Sequence, residues 1–208
     1  MRGLLYKDLL TLWKAKLLPI YLVIIVCMPL SAEQNVLMLM FPCFFAATLP
    51  MTLLSYDEKA HWDHYALGLP VTRAQSVHAS YVLALCLVGG FSLLATISRT
   101  LLMIAKGQGS VVGSLGILLM IVSVGLLLNA MIMPFVFRFG TEKGAIIYYV
   151  TLGICGMVVG LFYGFNGLDY SDSFRISTML TLVLLLGAVA AFAFSWRLSV
   201  RFYEKREL

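Results

Sequence analysis

His61 and His64 stand three residues apart, and Asp57 precedes His61 by four. On a helix this spacing brings the three side chains to one region of the surface, as in a partial metal site. A closed zinc site normally has four ligands, and Asp63 points to another face, so the pattern predicts a solvated or partner-facing surface and no metal. Other chemistries fail on residue order. No HExxH zinc motif occurs. Gly113-Ser114-Leu115-Gly116 faintly echoes a hydrolase elbow. It lacks the GxSxG order, and no histidine lies in a later apolar run to act as base. Gly140-Thr141-Glu142-Lys143-Gly144 has the wrong order for a phosphate-cradling loop, and GxxxxGK[ST] is absent. The chain is therefore not expected to be an enzyme or to carry a cofactor. Any work driven by ATP would use a separate subunit.

The two histidines belong to a dense polar island, Tyr56 to Arg73, that interrupts a nearly continuous apolar sequence. Five charges fall in it: Asp57, Glu58, Lys59, Asp63 and Arg73. Trp62 supplies an aromatic anchor among them, the mix expected of a polar interface with a buried hot spot. Leu69-Pro70 breaks the helix, because a residue before proline avoids the helical region. Thr72 then suits the N-cap of the next helix.

What positions the island is a membrane chain. Its 208 residues are 61% hydrophobic and 12% charged, with mean hydropathy +0.94. A soluble domain carries roughly twice that charge fraction. The charge-free stretches are 17–32, 34–56, 74–98, 107–137, 144–168 and 176–196. Five reach the roughly 17–25 residues that a spanning helix needs. The first is short and spans if Lys14 and Lys16 snorkel. The expected fold is one all-α, polytopic transmembrane domain with six spans, at about 17–33, 35–55, 77–99, 110–136, 145–165 and 176–197. Residues 1–16 are expected to form an interfacial amphipathic helix carrying Leu5, Leu9, Leu12 and Trp13, and 56–76 a cytoplasmic coupling segment. The first apolar stretch does not read as a cleaved signal peptide, since no small-x-small site follows Leu30.

Lys and Arg set the orientation. With both termini cytoplasmic, inner segments hold twelve of the fifteen basic residues; Arg99, Lys106 and Arg175 lie outside. The positive charge then serves topology and anionic-lipid contact, and no nucleic-acid partner is expected. Cys27, Cys43, Cys86 and Cys155 read as buried small hydrophobes without disulfide spacing. Gly153, Gly156, Gly160 and Gly164 make a small-residue stripe, suited to packing within the chain or to a subunit contact. Pro134 is expected to bend the fourth span. The charge-free stretches hold no Asp, Glu, Lys or Arg, and Arg99 lies just beyond the end of one, which argues against an ion-coupled carrier. A path for amphipathic cargo would use uncharged groups; the candidates are Phe44, Phe45, Thr48, Thr52, Phe91 and Asn129.

Ser55-Tyr56-Asp57-Glu58-Lys59, Trp62-Asp63, Tyr65-Ala66 and Leu67-Gly68-Leu69-Pro70-Val71-Thr72-Arg73, together with Leu5-Tyr6-Lys7-Asp8-Leu9 at the start, resemble the small permeases of the ABC-2 transporter family. The layout of spans fits over the whole length. The resemblance is to half-permeases of bacterial exporters for peptides such as bacteriocins, and is nearest to exporters of phenol-soluble modulin type. It implies a plasma-membrane location and a second permease chain, identical or different. It also implies two cytoplasmic ATPase subunits that hold ATP and magnesium. Asp57, Glu58, Lys59, Trp62, Asp63, Leu69, Pro70 and Arg73 would form the element that docks in the ATPase. The alternative is a non-transporting immunity or sensor-regulating subunit of the same fold, told apart by whether substrate stimulates the partner's ATP hydrolysis.

Overall fold

A computed structural model describes residues 2–31, 36–60, 62, 72–105, 107, 111–166 and 178–204. Among them seven α-helices and no strands occur: α1 (Arg2–Lys14), α2 (Leu17–Ser31), α3 (Val36–Lys59), α4 (Arg73–Ala105), α5 (Val111–Phe139), α6 (Thr141–Asn166) and α7 (Thr178–Glu204). The described segments of α4, α5 and α7 are each long and apolar enough to cross a membrane. So are α1 and α2 taken as one pair, bent by 71°. The chain is thus a polytopic helical membrane protein, as expected, although the described residues carry three such spans, or four with the bent pair, and not six. The shortfall is physical for α2. Its 15 residues reach about 22 Å, against the roughly 30 Å of a hydrocarbon core.

Local chemistry places the breaks. Lys16 adopts φ 58°, the left-handed conformation that ends many helices. Its amide donates to the Trp13 carbonyl at 3.0 Å. Pro19, in the first turn of α2, has no amide to leave unsatisfied there. Thr72 caps α4 as expected and forms a reciprocal box. The Gln75 amide donates to Thr72 Oγ1 at 3.3 Å, and the Thr72 amide donates to Gln75 Oε1 at 3.2 Å. Between α5 and α6 the only connecting residue is Gly140, with φ 86°. The close return requires a second glycine. A Cβ on Gly144 would lie 3.3 Å from the Val136 Cα and closer still to Cγ2.

The most extensive helix pairing is α5 against α7. Tyr81 of α4 stands in the core at 1% exposure, its ring 5.2 Å from that of Phe192 and 6.1 Å from that of Trp196. Its hydroxyl lies 2.7 Å from both Ser195 Oγ and Ser199 Oγ. A buried hydroxyl cluster of this kind ties α4 to α7 where water is absent. The outer surface is apolar instead, with Leu101, Leu186 and Phe194 exposed. Cys27 and Cys86 are exposed too, not buried as the sequence suggested. When the surrounding solvent is lipid, a thiol gains little from burial.

α1 divides its apolar residues between two faces. Its inward stripe is Leu5, Asp8 and Leu12, while Leu9 is 50% exposed beside Tyr6 and Trp13. A carboxylate, not a leucine, occupies the middle of the buried face.

Candidate coupling site at the base of the bundle

Lys7 explains that carboxylate. Its Nζ lies 3.2 Å from Asp8 Oδ1 on its own helix. It donates to both carboxylate oxygens of Asp57, each at 2.8 Å. It also sits 4.1 Å from the centroid of the Trp62 ring, within cation–π range. One ammonium therefore joins α1, the last turn of α3 and the start of the segment that follows. Burial pushes the Asp8 carboxyl above its ordinary value, and the adjacent Lys7 opposes that shift.

Glu58 faces a different helix, because successive residues on α3 are turned by about 100°. Its Oε2 accepts the Thr141 amide at 3.1 Å, and the Thr141 hydroxyl donates to the same oxygen. Thr141 is 5% exposed. A carboxylate at the first turn of α6 satisfies an amide that has no partner within the helix and meets the positive end of its dipole. The Gly140–Gly144 stretch thus receives a protein carboxylate where a phosphate-cradling loop would receive phosphate. A cleft of about 20 Å³ remains between Leu54, Asp57, Glu58, Trp62 and Tyr203, room for roughly one water. The base is packed, and its charged groups pair with one another.

Of the predicted docking residues, the structure brings together Asp57, Glu58 and Trp62. Asp57 and Glu58 hold neighbouring helices and are not loose surface charges. Lys59 is exposed at the end of α3. Arg73 opens α4 beside the Thr72 cap. Asp63, Leu69 and Pro70, with His61 and His64, lie outside the described residues. Among the described residues no group of His, Cys, Asp or Glu is suited to a metal.

The path candidates are distributed over α3, α4 and α5. Phe91 and Asn129 are buried, at 4% and 1% exposure, and the Asn129 amide donates to the Gly125 carbonyl of its own helix at 2.9 Å. Thr48 and Thr52 donate to the Phe45 and Thr48 carbonyls, both at 2.8 Å. Such back-bonding satisfies a hydroxyl without a cargo. Phe45 stacks on Tyr21 at 5.0 Å, and the Phe44 carbonyl accepts the Tyr148 hydroxyl at 3.2 Å.

Sequence reasoning missed Lys7, Asp8 and Thr141 as partners of the island. The available signal was scarcity. With only 10 acidic residues in the chain, a carboxylate beside an apolar span implies a specific partner.

The described residues thus form a polytopic helical bundle whose basal charges bind its helices to one another. The chain belongs to the ABC-2 family: the model described as ABC-2 family transporter protein matches residues 3–204. No curated protein and no solved structure matches it. Membership implies association with an ABC ATPase.

Proposed function

We propose that the chain is the permease subunit of an ATP-binding-cassette exporter, with six spans and both termini cytoplasmic in a bacterial plasma membrane. It moves an amphipathic or apolar substrate, a peptide among the candidates, outward. ATP and magnesium bind on a separate cytoplasmic ATPase, and a second permease chain, identical or different, completes the unit. The observation that supports this reading most is the basal linkage. The segment after Lys59 leaves α3 at a point where Asp57 is held by α1 and Glu58 holds α6. A push on that segment enters three helices at once. The twelve-to-three division of basic residues supports a cytoplasmic base.

The test is co-purification with a candidate ABC ATPase subunit, followed by ATP turnover with and without peptide. Trp62→Ala and Lys59→Glu should weaken binding or abolish stimulation by substrate, while the chain still inserts. Truncating a true hot spot costs about 2 kcal/mol or more, roughly thirtyfold in affinity. Lys7→Met separates the two roles: it should leave ATPase binding intact, since the indole stays, but weaken stimulation by substrate, since it frees Asp57 from α1. Unchanged binding and turnover in both Trp62→Ala and Lys59→Glu would refute the docking role.

A further inference from the structure

A groove of about 410 Å³ opens on the outer surface between α5 and α7, within the range of specific small-molecule sites, about 300–1,000 Å³. Its walls are almost wholly apolar: Leu127, Met131 and Phe135 on α5, and Ala191, Phe194 and Leu198 on α7. It runs from Leu127 to Arg138, eleven residues along α5, or about 16 Å. That is about half of a 30 Å hydrocarbon core, the depth of one leaflet.

One end is charged. Arg138 lines the groove, its guanidinium carbon 5.0 Å from the centroid of the Phe139 ring and 4.9 Å from that of Phe202. The two rings hold the cation by its apolar faces, which leaves its edge donors for an oxyanion. Among the described residues no carboxylate lies within ion-pair distance of Arg138. The groove therefore has the length of an acyl chain and the charge of a phosphate site at its mouth.

We infer that this groove binds one anionic phospholipid, with an acyl chain along α5 and α7 and the headgroup phosphate on Arg138. The inference rests on the chain's place in a membrane and is independent of what it transports. The free oxyanion and the lipid share headgroup chemistry, but only the lipid uses the apolar length.

Native mass spectrometry and thermal unfolding of the full chain in detergent, with defined lipids added, test it. Phosphatidylglycerol should be retained about fivefold or more tightly than phosphatidylcholine, the preference expected of one basic residue near a membrane surface. Arg138→Gln should erase the preference and Arg138→Lys should keep most of it. Ala191→Phe, which fills the groove, should lower retention of both lipids with Arg138 intact. Should Arg138→Gln fail to fold, Ala191→Phe and Arg138→Lys still decide the matter. Equal retention of the two lipids by wild type, or undiminished retention in Ala191→Phe, overturns the inference. So does glycerol phosphate protecting as strongly as the lipid, which would mark a phosphate site. So does disulfide cross-linking between Ala191→Cys copies in the presence of the lipid, which would assign the groove to a second copy.

Discussion

Glu58 closes the first turn of a helix that begins at Thr141, 83 residues further along the chain. Its neighbour Asp57 is held by Lys7, 50 residues earlier. Two adjacent carboxylates thus tie the end of one helix to the middle of a second and the start of a third.

Glu58→Ala should destabilise the chain by about 1–2 kcal/mol, the usual cost of a lost helix cap. Thr141→Val should cost a similar amount. In the double variant the effects should fall short of their sum by about 0.5 kcal/mol or more, as groups in contact do. Thermal unfolding in detergent gives the cycle, and strict additivity would refute the pairing.

Lys7→Met should release α1 while leaving the spans in place. The pair with Asp57 is about a quarter exposed on each side, so its worth is discounted for screening to roughly 1 kcal/mol. Limited proteolysis should cut α1 faster in the variant. Asp57→Asn should do the same, and the exchange Lys7→Asp with Asp57→Lys should restore part of the protection. Equal cleavage rates in all four chains would count against the clamp.

Asp8 predicts a pH dependence. Burial raises its folded-state pKa above the unfolded value, so the folded chain binds the proton more readily. This group's contribution therefore favours folding as pH falls through the window between the two values, and its cost is fully present above them. Asp8→Asn should remove that dependence and raise stability at neutral pH, measured as melting temperature against pH. A melting curve for Asp8→Asn that parallels wild type throughout the acid range would contradict it.

Gly144 and Gly153 should respond oppositely. A Cβ on Gly144 meets Val136, whereas one on Gly153 meets nothing within 4 Å. Gly144→Ala should destabilise by about 1–3 kcal/mol through overpacking, and Gly153→Ala, inside α6, should stabilise by up to about 1 kcal/mol through helix propensity. Comparable losses at both positions would mean that the α5–α6 approach is looser than described.

Much of this was legible beforehand. Charge-free length announced membrane helices, because lipid allows few alternatives for the backbone. Thr72 and Leu69-Pro70 announced a helix start, because capping and pre-proline sterics act within a few residues; of the two, only the Thr72 cap falls among the described residues. The role of Lys7 was not legible. A lysine near a membrane end reads equally as topology, snorkelling or pairing, and its partner was fifty positions away. Which leucines of α1 face inward was not legible for a related reason. Where both faces of α1 meet apolar surroundings, protein on one side and lipid on the other, periodicity does not say which leucines face inward.

The separation of the basal partners also bears on synthesis. At about 5–20 residues per second, the Glu58 carboxylate waits on the order of ten seconds before Thr141 exists to receive it, whereas Asp57 finds Lys7 already made. The base is therefore built in a fixed order: first the N-terminal helix onto α3, then α6 onto that pair. A ribosome-bound chain halted just short of Thr141 should already protect α1 from protease and should show no such protection when Lys7 is Met. The charged pair would then act first as an assembly checkpoint on the growing chain, before any partner subunit arrives.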